Sequence, residues 1–319
     1  MATNYSKGDV TATLENSTLD PFIVSAIIKS LGPKVASNNI PVDGELSSSD
    51  LFRQNLVTVN DPGVFDLTDA TRGDVARLKS LIFSTNESVD LTFDQGRGSD
   101  AFRGWVVTNG GDDTIKLSGN NVKVSSGDGD DAIITGNGND SIVAGTGNDS
   151  ITTSGGRDTV EAGSGDDSIS TGGGSDSVLT GGGNDSVYTG DGNDYVSTNS
   201  GDVLIVTGDG RDTVLLGGVN GFSLVDTGNQ NDIVRLGADF SGFAAVDGGA
   251  GNFDKLDFRN FDITSVSQDF DELTITLSDG SEISAINFER FVYDNNGAAQ
   301  GGIRTVGIDD FLTHEWPIV

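Results

Sequence analysis

The 319-residue sequence has no cysteine and only one histidine. The lack of cysteine excludes disulfides, thiolate zinc sites and thiol nucleophiles. Because His314 is the sole histidine, one chain cannot assemble a two-histidine zinc protease site, and no nucleophile-elbow or P-loop motif occurs. We therefore expect no catalytic residues and a protein that is not an enzyme. A Ser-His-Asp set that uses His314, or a carboxylate pair that cleaves glycosides, is the catalytic alternative.

Basic residues and long apolar runs are also scarce. Lys and Arg total 18 against 49 Asp and Glu, which gives a formal net charge of -31. This charge excludes a basic nucleic-acid-binding surface and predicts a need for cations. The longest apolar run, residues 22–31, is too short to span a bilayer. Residues 1–20 lack the basic segment and apolar core of a cleaved secretory signal, so we expect none.

What the chain has in abundance is glycine, at 46 residues, and in its middle the glycines follow a nine-residue period. A typical unit, TGNGNDSIV, begins at Thr135 and ends at Val143. Aspartate occupies the same place in ten units, and Val122 and Val203 replace it in two others. A β-branched apolar residue follows two positions after each aspartate between residues 131 and 194. The ten aspartates are Asp113, Asp131, Asp140, Asp149, Asp158, Asp167, Asp176, Asp185, Asp194 and Asp212.

Each position in the repeat has a physical role. Glycines permit a tight turn that a Cβ would forbid, and the β-branched residue forms a short strand whose side chain enters the core. One unit makes half a coil, so units eighteen residues apart should stack on the same side. Stacked carboxylates and turn carbonyls then form an oxygen cage that suits calcium better than magnesium. The aspartates fall into two columns of five with four gaps each, which predicts about eight calcium ions.

These units resemble the nonapeptide G-G-x-G-x-D-x-U-x of the RTX family. The first glycine is mostly Thr or Ala here, whereas the later glycines, the aspartate and the apolar position match. The resemblance covers roughly residues 96–260. It implies a parallel β-roll that binds calcium, and secretion by a type I system that uses an uncleaved C-terminal signal. The ten aspartates are the implied metal ligands.

Two other interpretations of the repeat stay open. One is a disordered linker of low complexity, which the regular phase of the apolar residue disfavours. The other is a metal-free β-solenoid with ladders of Asn or Asp. Calcium binding and the response to chelation distinguish both from a calcium roll.

The flanking segments predict a chain that is mainly β. Residues 1–94 are expected to form a small mixed α/β attachment or capping region, with helices at residues 22–31 and 66–83. Residues 95–260 form the roll, and 261–319 a β-rich cap with a candidate secretion or assembly segment. Phe288, Phe291 and Trp316 are expected to provide interaction surface.

We expect a non-enzymatic structural protein, a repeated subunit of an extracellular or particle-surface assembly such as a surface layer, filament, adhesive matrix or phage virion. Its partners are then calcium ions and either further copies of itself or a surface or capsid scaffold. The expected location is extracellular or at the cell surface, with a virion as the alternative. The alternative function is a secreted RTX enzyme or toxin with its activity in the N-terminal region.

Overall fold

The computed structural model describes ten ranges of the chain. They are residues 4–5, 37–39, 56–59, 63–66, 80–83, 85–93, 102–119, 121–218, 220–294 and 303–312. The chain divides into two compact units, residues 1–163 and 164–319. The predicted helix at 22–31, the catalytic candidate His314 and Trp316 lie outside the described ranges.

Almost every described element is a short β-strand. The first thirteen are β1 Asn4–Tyr5, β2 Ser37–Asn39, β3 Leu56–Val59, β4 Gly63–Asp66, β5 Ser80–Phe83, β6 Val89–Phe93, β7 Trp105–Val107, β8 Thr114–Leu117, β9 Lys123–Asp128, β10 Ala132–Ile134, β11 Ser141–Thr146, β12 Ser150–Thr152 and β13 Thr159–Ser164. The others are β14 Ser168–Ser170, β15 Ser177–Gly182, β16 Asp185–Asp191, β17 Tyr195–Thr198, β18 Val203–Asp209, β19 Thr213–Leu216, β20 Asn220–Asp226, β21 Ile233–Leu236, β22 Ser241–Asp247, β23 Lys255–Asp257, β24 Ile263–Asp269, β25 Glu272–Leu277, β26 Glu282–Ile286, β27 Arg290–Asp294 and β28 Ile303–Gly307. One short helix, α1, spans Ile308–Leu312.

Successive strands alternate between two sheets, which is the pattern of a coiled solenoid. In the first unit one sheet has the order β1-β2-β3-β5-β7-β9-β11-β13, and the other has β4-β6-β8-β10-β12. In the second unit the orders are β15-β17-β19-β21-β23-β27-β28 and β14-β16-β18-β20-β22-β26-β25-β24. Pairing within the repeats is parallel, as between β8, β10 and β12. The predicted parallel β-roll is therefore confirmed.

The apolar position of the repeat builds the core of each unit. In the first unit Ile133 pairs in register with Ile115 on one side and Ile151 on the other, and all three side chains are buried. In the second unit Val187 and Ile205 are stacked neighbours of the same kind. Since only alternate residues of each short strand face inward, each sheet contributes a single layer of side chains to the core.

The predicted helix at residues 66–83 is wrong where the chain is described. Ser80–Phe83 is strand β5, and all four of its residues are buried. Strand β5 pairs in parallel with β3 and β7, so this sheet continues N-terminal to residue 95. In the sequence these apolar residues look like one face of a helix, but in the structure the last of them form a buried strand. A short apolar run is compatible with the period of a helix and with that of a strand.

The C-terminal residues form the predicted β-rich cap. Strands β26 and β27 still pair in parallel with β22 and β23 of the roll, whereas β24, β25 and β28 add antiparallel pairings. The ring of Phe311 in α1 stacks on Phe291 with centroids 4.4 Å apart. No helix in the described ranges is long and apolar enough to cross a membrane.

The expectation that Phe288 and Phe291 provide interaction surface is wrong. Phe291 is fully buried and Phe288 is only 5% exposed. Both aromatic side chains contribute to the core of the cap, because the cap must cover the apolar end of the coil. Among the described residues of the second unit, the exposed aromatic side chains are Tyr188, Tyr195, Phe222, Phe253 and Phe270.

Candidate metal centre

Glycines let the turns of neighbouring coils approach closely. Gly190 has a φ of +93°, a conformation that side-chain-bearing residues rarely adopt. A Cβ at this position would overlap the main-chain carbonyl oxygen of Gly172, one coil earlier. The carbonyl oxygen of one turn therefore lies directly against the Cα of a glycine in the next turn.

The repeat aspartates link each coil to the coil before it. Their Oδ1 atoms accept hydrogen bonds from main-chain N–H groups eighteen residues earlier, at 2.8 to 3.0 Å. In the first unit these bonds connect Asp113 to Asp131, Asp131 to Asp149, and Asp140 to Asp158. In the second unit they connect Asp167 to Asp185, Asp176 to Asp194, and Asp194 to Asp212. Within each unit the structure thus groups the predicted aspartates into stacked columns.

These main-chain hydrogen bonds use the Oδ1 atom of each aspartate and do not involve Oδ2. Several buried Oδ2 atoms accept no hydrogen bond within the part of the chain that the structure describes. These atoms belong to Asp113, Asp131, Asp140, Asp185, Asp194, Asp212, Asp232 and Asp254. An uncompensated buried carboxylate oxygen is costly, so each of these atoms is a candidate ligand for a cation.

The threonine hydroxyls beside Asp194 and Asp212 do not satisfy the Oδ2 atoms of these two residues. Burial raises the pKa of Asp194 and Asp212, and the neighbouring Thr189 and Thr207 offset only part of that rise. Their single hydroxyl protons, however, are donated to main-chain carbonyls of the next coil, at 3.1 and 3.0 Å. A hydroxyl that donates its hydrogen to a carbonyl cannot also donate it to the carboxylate. The Oδ2 atoms of Asp194 and Asp212 therefore remain candidate ligands for a cation.

Burial raises the pKa of six repeat carboxyls, those of Asp113, Asp131, Asp140, Asp185, Asp194 and Asp212. Desolvation is the largest cause, and it raises the pKa of Asp113, Asp140 and Asp194 to about 6. The same cause raises the pKa of Asp232 to about 7, with a further rise from the charges of Asp212 and Asp254. Without a cation these groups therefore favour their protonated form at a higher pH than an exposed aspartate does.

Exposed side chains form a second ladder that runs in the opposite direction. The residue before several of the buried aspartates offers a side-chain oxygen to the main-chain N–H group of the following coil. Asp112 accepts from Asp130 at 3.0 Å, Asp166 from Asn184 at 2.7 Å, and Asn184 from Asp202 at 2.9 Å. Each of these turns is thus fixed to a neighbouring coil by side-chain hydrogen bonds as well as by its strands.

The available ligands are all oxygen atoms, and side chains alone do not complete a site. No three Asp, Glu or His side chains converge as a metal cluster in the described ranges. A bound ion therefore needs main-chain carbonyls of the stacked turns beside the aspartate oxygens. Hard oxygen ligands from carboxylates and carbonyls, in a flexible loop, are the set that calcium prefers.

The structure agrees with the sequence on where one column ends and differs on the other. Val203 takes the position of an aspartate beside Asp185, so no carboxylate follows Asp185 in its column. In the sequence pattern the last aspartate of the other column is Asp212, but its main-chain N–H donates to Asp232 Oδ1 at 2.7 Å. Asp232 in turn donates to Asp254 Oδ1 at 2.8 Å.

Sequence reasoning missed Asp232 and Asp254 as candidate ligands because the spacings lengthen to 20 and 22 residues. A usable signal was present in the sequence. Both aspartates keep an apolar residue two positions later, Val234 and Leu256. Both of those side chains are fully buried.

The repeats match a known family of calcium-binding sequences. Residues 107–222 match the family model of the RTX calcium-binding nonapeptide repeat in overlapping segments. These segments are 107–142, 125–160, 134–169, 152–187 and 188–222. No curated protein matches the chain. The RTX resemblance and calcium as the ligand of the repeats are thereby confirmed.

Proposed function

Because residues 107–222 match RTX calcium-binding repeats, we propose that this chain is a non-enzymatic structural subunit that assembles with further copies of itself when calcium is bound. Calcium would act first on the fold. The buried carboxylates oppose packing when they are charged and uncompensated, and a bound cation converts them into cross-links between coils.

The observation that supports self-assembly is an apolar strip on the outer face of one sheet in the second unit. We define the strip as Tyr188, Leu204, Phe222, Leu224 and Phe243. Phe222 and Phe243 stack with ring centroids 5.3 Å apart, and Leu204 pairs in register with Leu224. Phe222 is 47% exposed and Leu224 is 44% exposed. The equivalent outward positions of β14 are Ser168 and Ser170, so the strip interrupts a polar surface.

Calcium would control this surface in two ways. The strip exists as a continuous surface only while β16, β18, β20 and β22 are stacked, so folding of the roll creates it. In addition, the net charge of -31 makes copies of the chain repel one another. Each bound calcium removes two negative charges and lowers that repulsion.

Calcium dependence also supports a location outside the cell. RTX repeats are typical of secreted proteins, and loops of this kind suit the millimolar calcium of extracellular fluid better than micromolar cytosolic calcium. We therefore place the assembled form at a cell surface or on a released particle such as a virion. Self-association would then begin only after the chain meets external calcium.

The test is the mass of the full-length protein in solution with calcium and with a chelator. We expect oligomers in millimolar calcium and monomers after chelation, measured by light scattering coupled to size exclusion. Phe222→Ser with Leu224→Ser should abolish the oligomers while the circular dichroism in calcium stays unchanged. Ile134→Ser is the matched control, because Ile134 is 43% exposed but lies outside the strip.

A monomer in calcium, or oligomers that persist in the double variant, would contradict the proposal. A monomer that also turns over a substrate would favour the secreted enzyme or toxin instead.

A further inference from the structure

The column of aspartates that contains Asp194 and Asp212 continues beyond the residues that match the repeat family. That match ends at residue 222. Asp232 and Asp254 are fully buried, and their Oδ1 atoms accept the same type of main-chain hydrogen bond as the repeat aspartates. Their Oδ2 atoms are also buried and accept no hydrogen bond from the described residues.

The turn around Asp254 reproduces the oxygen arrangement of the repeat turns. In the repeats, a Cβ on Gly210 would overlap the carbonyl oxygen of Gly192 and lie 3.0 Å from Asp212 Oδ1. In the later turn, a Cβ on Gly251 would overlap the carbonyl oxygen of Gln230 and both carboxylate oxygens of Asp254. The same combination, a carbonyl of the earlier coil and an aspartate of the same coil, thus surrounds the space in front of a glycine.

Main-chain contacts show that these turns are stacked equivalents. Gly210 N–H donates to Asn229 at 3.1 Å, and Gln230 N–H donates to Ala250 at 3.0 Å. Asn252 N–H donates to the side chain of Asn231 at 3.2 Å, which continues the outer ladder. The turn that ends at Asp254 therefore keeps repeat geometry in a segment whose sequence departs from the repeat.

The column ends at Glu289 in the cap. Asp254 N–H donates to Glu289 Oε2 at 2.9 Å, the bond that an aspartate of the next coil would otherwise accept. The Asp254 carbonyl receives the N–H groups of Glu289 and Arg290 at 3.2 and 3.0 Å. The carboxylate of Asp254 thus lies where the roll joins strand β27.

We propose that calcium binds in the turns of Asp232 and Asp254, with the Asp254 carboxylate, the Gln230 carbonyl and Asp232 as ligands. This inference rests on the proposed calcium binding of the repeats and extends it to two turns that the repeat pattern does not include. Calcium there fixes the C-terminal cap to the roll, because Asp254 bonds to both.

The test compares Asp232→Asn and Asp254→Asn with the wild-type full-length chain. Asparagine keeps Oδ1 as a hydrogen-bond acceptor but removes the charge and one ligand oxygen. We expect each variant to bind about one calcium ion fewer, counted by native mass spectrometry in saturating calcium. Asp271→Asn is the charge-matched control, because Asp271 is exposed in the turn between β24 and β25.

A second measurement needs no variant. A calcium-soaked crystal of the full chain should show anomalous density beside Asp254 and the Gln230 carbonyl. Ions at Asp194 and Asp212 with none at Asp254, or unchanged stoichiometry in both variants, would overturn this inference and leave calcium binding by the repeats intact. A wild-type chain that binds no calcium would overturn both.

Discussion

The buried aspartates lead us to predict that the stability of the roll depends on both pH and calcium. Burial raises the pKa of Asp113, Asp140 and Asp194 from 3.8 to about 6. A shift of this size corresponds to roughly 3 kcal/mol for each carboxyl at neutral pH. Solvent screens part of this cost. Asp113 and Asp140 of the first unit together still oppose folding by a large share of the roughly 5–15 kcal/mol that stabilises a typical domain. The calcium-free roll should therefore be unfolded at pH 7.5.

The direction of the pH dependence follows from linkage. Because the folded-state pKa lies above the unfolded value, the folded chain binds protons more tightly than the unfolded chain does. The resulting stabilisation is complete below about pH 4 and is lost as the pH rises through about 6. In a chelator, acidification from pH 7.5 to 5 should therefore restore β-structure. Calcium should restore it at pH 7.5, because calcium stabilises the ionised carboxylates.

Far-UV circular dichroism and thermal unfolding, each with calcium and with a chelator at both pH values, provide the measurement. Asp194→Asn supplies a sharper test, since it removes one charge but keeps the acceptor for the N–H of Asp176. The variant should unfold at a lower temperature than wild type in calcium. In chelator at pH 7.5 it should be no less stable than wild type. A chelated wild-type chain with the same signal and melting temperature at pH 7.5 and 5 would refute the reasoning.

Two further predictions concern the turns and the core. Gly190→Ala should destabilise the calcium-bound roll by roughly 2 kcal/mol or more, because its Cβ overlaps Gly172 and its φ is positive. Gly173→Ala is the control, since its Cβ would lie 3.9 Å from the nearest atom, the Asp191 carbonyl oxygen. Equal melting temperatures for the two variants would contradict the predicted role of Gly190. Ile205→Ala should cost about 2–5 kcal/mol in chemical denaturation, because Ile205 is fully buried in a thin core. Ile134→Ala, at an exposed position, should cost under about 1 kcal/mol, and similar losses in both variants would count against the predicted core.

The position of the buried apolar residue in each nine-residue unit and the glycine turns are predictable from the sequence, because both depend on local geometry. Asp140 and Ile142, for example, lie in one period whose residues have fixed roles in a turn and a strand. The spacing of eighteen residues between stacked aspartates follows from that period alone. The oxygen ligands of the period favour calcium, and the resemblance of the units to the RTX nonapeptide implies the parallel β-roll.

Other features depend on contacts between residues that are distant in sequence. Strand β5 looks like part of a helix in sequence, and only its pairing with β3 and β7 identifies it as a strand. The sequence suggests that Phe291 provides interaction surface, whereas in the structure Phe311 stacks on it and it is fully buried. Asp232 and Asp254 lose the nine-residue spacing through insertions, yet the sheets on either side keep them in the column.

The sequence by itself determined the repeating unit, its turns, its core positions and the oxygen ligands that favour calcium. The tertiary structure decided how each carboxylate divides its two oxygens, with Oδ1 accepting an N–H from the previous coil. It also decided where the column of aspartates stops, at the Glu289 bond to Asp254. The physical reason is that a local period fixes the conformation of one unit, whereas parallel pairing between coils fixes which units are neighbours.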